Sequence, residues 1–328
     1  MLCPRIRHFA RINQDGTVGI CGHMVNGKKY NTHEDLEKST WIEQLESMMQ
    51  NNEWPDECVR CQRTEQTGSK SIRQSSIDRD RILRSIRSDY LVVGGVLDNV
   101  CNSACQTCDS TLSTKIGSLE SKNYRRIDNF EQFSLLPQQR ILEVDVSGGE
   151  PTASKNYKKL LKNLPIHTKI VRMNTNGSRT IKEIEMILRQ GITVIVTVSL
   201  DGINEVHDYV RWPIKWHTVE STLKSYVQLQ KKYKLLYLDT WTTVSCLNIM
   251  NLEHIMGYTK SMNIKHNWAF LETPDVLSVR HKNKFTEPAK HLFPEQIAIQ
   301  KNNDNALLEF LSRQDRLRGI DIKDYLNF

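Results

Sequence analysis

The octapeptide Cys101-Asn102-Ser103-Ala104-Cys105-Gln106-Thr107-Cys108 sets three cysteines at a Cys-x3-Cys-x2-Cys spacing inside one short loop. Thiolates so spaced can fold around a metal cluster. Three protein ligands can hold three irons of a [4Fe–4S] cluster and leave the fourth open, whereas a closed structural site uses four. Taken alone, the loop also fits a zinc site completed elsewhere, or cysteines that share no ligand. The residues C-terminal to the loop decide between these.

From Tyr90 onward, β-rich runs alternate with amphipathic stretches. Tyr90–Leu97 leads into the cysteine loop, and Arg140–Val146, Lys169–Met173, Ile192–Leu200, Tyr237–Cys246 and His266–Leu271 come after it as five further strands. Helices are predicted at Asn156–Leu164, Thr180–Gln190, Val219–Tyr233 and Leu252–Met262. This order argues for a parallel sheet with outer helices, and six units fit a partial (β/α)6 TIM-like barrel. In such folds active sites gather at the C-terminal ends of the strands. Ser147-Gly148-Gly149-Glu150-Pro151, Thr175-Asn176-Gly177 and Ser199-Leu200-Asp201-Gly202 all fall there. Glycines permit close backbone approach to a ligand, and a carboxylate can accept hydrogen bonds from an ammonium group. Each motif by itself is also an ordinary turn.

Together, the three-cysteine loop, the strand after it and the Gly-Gly-Glu-Pro sequence resemble the radical S-adenosylmethionine (radical SAM) enzymes. The resemblance implies that Cys101, Cys105 and Cys108 hold a [4Fe–4S] cluster whose open iron chelates SAM. The cluster's electron would cleave SAM to a 5′-deoxyadenosyl radical, which takes hydrogen from a substrate. It further implies that Gly148, Gly149, Glu150, Pro151, Asn176, Ser199, Asp201 and Arg211 contact SAM. Arg211 could hold a carboxylate or simply pair with Asp208. The position before the third cysteine, usually aromatic in this family, is Thr107 here.

Residues 1–75 carry a second cysteine set. Asn13-Gln14-Asp15-Gly16 reads as the turn of a hairpin between Cys3 and Cys21. An amphipathic helix runs from Thr40 to Asn51 with Trp41, Leu45, Met48 and Met49 on one face, and Cys58-Val59-Arg60-Cys61 comes after it. Cys3, Cys21, Cys58 and Cys61 make a complete tetrathiolate, suited to zinc or to an auxiliary [4Fe–4S] cluster. The pattern resembles the twitch module, the shortened relative of the SPASM domain, which binds one auxiliary cluster in some radical SAM enzymes and would here add a second [4Fe–4S] cluster to the chain. There it follows the barrel; here it precedes it.

The remaining features set bounds. The 328 residues allow one large domain and a smaller one. We expect a cysteine-rich metal-binding module over 1–75, a basic linker or surface helix over 76–89, the barrel over 90–274 and a helical extension over 275–328, with helices near Pro294–Gln300 and Asn305–Arg313. Eight cysteines, with no apolar stretch after Met1-Leu2-Cys3-Pro4-Arg5 that would read as a signal peptide, suit thiolate ligands in a cytoplasmic protein better than disulfides. Cys246, inside a predicted strand, reads as a core residue. The net charge of +7 is spread along the chain, which argues against nucleic acid as a partner, although the basic 66–88 stretch keeps RNA as a third substrate option. A peptide or protein substrate is expected first, a small-molecule alcohol second, with an external electron donor of the flavodoxin or ferredoxin type. The competing class is a zinc-bound, non-enzymatic interaction module on a degenerate barrel.

Overall fold

The computed structural model describes residues 1–121, 124–281, 283, 285–286 and 303–326. Its strands are β1 (Phe9–Ile12), β2 (Val18–Gly19), β3 (Leu91–Asp98), β4 (Ile141–Gly148), β5 (Ile170–Thr175), β6 (Thr193–Ser199), β7 (Leu236–Val244) and β8 (Lys265–Phe270). The principal helices are α1 (Thr40–Gln50), α2 (Ile72–Ile86), α3 (Lys155–Lys162), α4 (Ile184–Arg189), α5 (Asn204–Val210), α6 (Trp216–Lys232), α7 (Leu252–Ser261) and α8 (Asp304–Arg318). The strands form one sheet in the order β2-β1-β3-β4-β5-β6-β7-β8, with helices between successive strands from β3 to β8. β2 and β8 are the outermost strands and do not pair with each other, so the half-barrel is open; Val18 of β2 also bridges Tyr30.

The six barrel strands fall where the sequence puts them. The N-terminal hairpin does not form a module apart from them. β1 pairs in parallel with β3, from Phe9↔Val92 to Ile12↔Gly95, and among these eight strands only β1 and β2 pair antiparallel. The parallel part of the sheet therefore has a seventh strand. The reason lies in Gly94 and Gly95. A Cβ on Gly94 would stand 2.5 Å from the Phe9 ring, and one on Gly95, whose φ is +100°, would stand 2.0 Å from the Ile12 carbonyl oxygen. Glycine inside a strand marks such close approach. The core is continuous across the join: Ile12 and Val18 pack with Trp41, Ile42, Leu45 and Met49 of α1 and with Leu91, Val93 and Ile141. The buried face of α1 thus takes Ile42, while Met48 is only partly covered.

The basic stretch expected as a linker or surface helix is largely helix. Ser71 opens α2 with a capping box, its hydroxyl accepting from Gln74 N at 3.2 Å while Gln74 Oε1 accepts from Ser71 N at 3.1 Å. α2 is anchored to β4, because Arg79 reaches Glu143 at 3.1 Å and Asp145 at 3.3 Å.

Along β6 and β7 burial alternates. One face packs under α4, α6 and α7, and the other, lined by Thr197, Ser199, Asp239 and Trp241, opens to the inside of the half-barrel. α8 buries Leu307 and Leu311 against Tyr209, Val210, Leu247 and Cys246, which is a core residue. The predicted helix at Asn305–Arg313 is the N-terminal part of α8; that at Pro294–Gln300 lies outside the described residues. Among the described residues no helix is long and apolar enough to cross a membrane.

Candidate functional site

The C-terminal ends of β3 to β6 converge on one cavity of about 310 Å³. Cys101, Cys105 and Cys108 line it from the loop after β3, Gly148 and Gly149 from the end of β4, Asn176 from the turn after β5, Ser199 from the end of β6 and Arg211 from just beyond α5. Eight of the eleven residues expected around SAM and its cluster therefore share one wall. Glu150, Pro151 and Asp201 are not on it.

Backbone contacts fix the cysteine loop. Ala104 N donates to Trp212 O at 2.7 Å and Gln106 N to Val210 O at 2.8 Å. Ser113 Oγ donates to Ser103 O at 2.6 Å, and Cys101 N to Thr114 Oγ1 at 3.2 Å. The Ser103 hydroxyl lies 3.3 Å from Cys101 Sγ and 3.5 Å from Cys105 Sγ. Thr107, the departure from the family pattern, is on the cavity wall.

The two glycines serve this loop. Added Cβ atoms would stand 2.0 Å from Asp98 O at Gly148 and 2.0 Å from Val100 O at Gly149. Gly148 also has φ +113°. Glu150 N then donates to Val100 O at 2.7 Å. The close approach inferred from sequence is thus first of all to the chain's own backbone, which seats the root of the cysteine loop against β4.

Glu150 is buried beneath the cavity with both oxygens engaged. Oε1 accepts from Thr152 N at 3.1 Å, Thr152 Oγ1 at 2.9 Å and Thr175 Oγ1 at 2.8 Å, and Oε2 accepts from Asn176 N at 2.7 Å. It orders the turn after β5 and, through it, Asn176, whose Nδ2 reaches Asn102 Oδ1 at 2.8 Å. Held by three donors on Oε1 and one on Oε2, the carboxylate positions the residues around it.

Arg211 and Asp201 form a buried pair, Nη1 to Oδ2 at 2.6 Å, and Asp201 Oδ1 also accepts from Thr243 N at 2.8 Å. The alternative Arg211–Asp208 pairing is not formed; Asp208 pairs with Lys215. Burial works against the Arg211 charge, yet Cys105 and Asp201 outweigh it and hold its pKa above the usual arginine value. Arg211 Nε is buried with no hydrogen-bond partner among the described residues.

These features fit the cofactor that the motifs imply. Burial, with the neighbouring thiols adding to it, raises the Cys101 and Cys108 pKa values, so a metal must displace the protons. Among the described residues no His, Asp, Glu or further Cys lines the cavity to close a fourth coordination position. The unpartnered Arg211 nitrogen supplies a donor and positive charge towards an anionic group.

Cys3, Cys21, Cys58 and Cys61 line a second, smaller cavity together with Arg5, His23 and Arg73. Burial, with charge from the other thiols adding to it, pushes Cys3 up to about 11 and Cys58 up to about 12. His23 N donates to Cys21 Sγ at 3.4 Å. Among the described residues no three His, Cys, Asp or Glu side chains are grouped to enclose a single ion, and this holds for both cysteine sets alike. The eight cysteines are all free.

Sequence reasoning missed Arg318. From the last turn of α8 its Nε donates to Ala104 O at 2.9 Å and its Nη2 to Cys105 O at 3.3 Å. No motif or spacing marks it.

Residues 97–257 match the family model described as the Radical SAM superfamily. A segment of 116 residues is 34% identical to the mycofactocin maturase MftC of Mycolicibacterium smegmatis, and one of 117 residues is 32% identical to that of Mycobacterium ulcerans. Each covers 35% of this chain, and the matches span 29% and 30% of those relatives. Among solved structures, Streptococcus suis SuiB bound to S-adenosylmethionine is similar, with a TM-score of 0.42, 14% identity and coverage of 91% of this chain and 72% of that one.

Proposed function

We propose that the chain, whose residues 97–257 match the model of the Radical SAM superfamily, is a radical SAM enzyme acting on a peptide or protein. The observation that carries the first half is the cavity itself. Three thiols reach it from one loop, no fourth protein ligand lines it among the described residues, and a buried arginine nitrogen on its wall lacks a partner.

In this reading Cys101, Cys105 and Cys108 hold a [4Fe–4S] cluster with one iron left for SAM. When bound, cluster and SAM would supply a 5′-deoxyadenosyl radical by one-electron reductive cleavage, with the electron drawn from an external donor of the flavodoxin or ferredoxin class. Gly148 and Gly149 hold the loop root against β4, and the Gly148–Gly149 backbone is the surface offered to the SAM amino group. Asn176, ordered by Glu150, and Ser199 offer polar side chains beside it. Arg211, kept charged by Asp201, balances the anionic cluster and the SAM carboxylate.

The peptide reading rests on the relatives, which are named as maturases. The N-terminal cysteines would form a twitch-like site for a second [4Fe–4S] cluster. It is closed by four protein ligands and so suited to passing electrons rather than binding substrate.

The test is SAM cleavage by the anaerobically reconstituted, dithionite-reduced protein. Wild type should release 5′-deoxyadenosine and Cys105→Ala should not. Equal release from the two would remove the cysteine loop from its assigned role.

A further inference from the structure

A third cavity, of about 700 Å³, lies between the two cysteine sites and shares wall residues with each. It shares Arg5, His23 and Ile72 with the wall of the four-cysteine cavity, and Ser147 and Asn174 with that of the three-cysteine cavity. It lies against β1, β4 and β5, under α2. Its size is in the range that small-molecule and side-chain pockets occupy, roughly 300–1,000 Å³.

Its walls carry Arg5, Arg11, His23, Lys70, Arg79 and Arg172, against Asp78 and Asp145. Most of these charges are already paired. Lys70 pairs with Asp78, Arg79 with Asp145 and the buried Glu143, and Arg172 with Glu143 as well. Arg5 and Arg11 have no acidic partner among the described residues. Arg5 lies over the Phe9 ring, 3.6 Å from its centroid, with only a 3.5 Å contact from Nη1 to Ser76 Oγ, and its Nε is buried without a partner. Phe9 also lines the cavity, so the stacked guanidinium is held over its floor. Arg11 donates Nε to Asn13 Oδ1 at 3.3 Å and fits because residue 22 is glycine, where a Cβ would come 2.1 Å from Arg11 Nη1. Two guanidiniums held by stacking and by backbone shape, with donors unspent, make a carboxylate fork.

We infer that this cavity binds a substrate carboxylate, gripped by Arg5 and Arg11, with the attached carbon chain directed towards Ser147 and Asn174 where the cavity meets the cluster site. This deepens the radical SAM reading and rests on it. The carboxylate can belong to an acidic side chain or to a chain end. The competing role for the two arginines is charge balance for the nearby thiolates, since Arg5 adjoins Cys3 and Arg11 adjoins Cys21.

The experiment is calorimetric binding to the anaerobically reconstituted full chain, with no turnover, so that it is independent of SAM cleavage. The probes are acetyl-tetraglutamyl amide, acetyl-tetraglutaminyl amide and acetyl-tetraglutamine with a free carboxyl end. At least one carboxylate probe should bind about tenfold tighter than the uncharged amide, the side-chain or chain-end source being whichever shows it. Arg5→Lys and Arg11→Lys keep the charge but not the planar fork; each should keep full iron content and lose most of that preference. Equal binding of all three probes, or a preference that survives both lysine variants, overturns the inference. So does a preference that falls only in step with iron loss, which would leave the arginines to the thiolates. Failure of SAM cleavage alongside an intact carboxylate preference would count against the enzyme reading and not against this site.

Discussion

Arg318 Nε donates to the carbonyl of Ala104 at 2.9 Å, joining the last turn of α8 to the middle of the cysteine loop across 214 positions of chain. Its Nη2 reaches Cys105 O at 3.3 Å and its Nη1 reaches Gln314 O at 3.0 Å, so the guanidinium is spent on carbonyls. Nearby, Asp315 accepts from Tyr209 OH at 2.9 Å and ties α8 to α5, whose last residue Val210 accepts from Gln106 N. The C-terminal helix is thus part of the cysteine loop's support.

Arg318→Gln should cost about 2–3 kcal/mol of stability, the worth of buried hydrogen bonds from a charged donor. It should also weaken iron retention at the Cys101 set, read as loss of cluster absorbance during gel filtration. Arg318→Lys cannot span both carbonyls and should not restore retention. Unchanged stability and retention in both variants would show that α8 merely covers the loop.

Gly149→Ala should be far more damaging than Gly191→Ala. At Gly149 the new Cβ meets Val100 backbone atoms at 2.0 to 2.7 Å, while Gly191 has φ +76° and nothing within 4 Å. The Gly191 variant should lose about 1 kcal/mol, the strain of a left-handed backbone. The Gly149 variant should lose at least about 2–3 kcal/mol through forced overpacking. Chemical denaturation of both proteins gives the comparison, and equal losses would mean that β3 and β4 part easily.

His207 is fully buried, and burial first, then the Arg211 charge, pushes its pKa down to about 3. The folded chain therefore refuses a proton that the unfolded chain accepts near pH ~6.5. Stability from this residue is present above pH ~6.5 and lost as pH falls from there towards 3, with a slope of about 1.4 kcal/mol per pH unit. A His207→Gln variant should show a shallower loss over that window in urea titrations. An identical slope would place the acid sensitivity elsewhere.

Metal content separates the two cysteine sets. After anaerobic reconstitution, wild type should carry about eight irons and Cys58→Ala about four, with SAM binding retained. Zinc in place of half the iron, lost on the same substitution, would make the N-terminal site structural.

The sequence exposes the site better than its supports. The three cysteines, Gly148-Gly149 and Asn176 announce themselves because their chemistry is local: a ligand spacing, a turn, a strand end. Strands β3 to β8 are legible for a similar reason, since apolar periodicity is set within a few residues. The place of β1 beside β3 is not local, although Gly94-Gly95 inside a strand is a sign that another backbone comes close. The wall position of Arg211 is legible, but its pairing with Asp201 rather than Asp208 depends on α5 ending where it does. Glu150 is found by motif, but its contacts to Thr175 and Asn176 come from the next strand end and carry no local signal. Arg318 has no sequence signal at all.

The most direct measurement is 5′-deoxyadenosine released per chain when the reconstituted, dithionite-reduced protein is given SAM. Release that requires Cys101, Cys105 and Cys108 and persists without Cys58 is the expected result. No release from protein whose three-cysteine site is shown to hold its iron–sulfur cluster would contradict the assignment of that cavity to SAM.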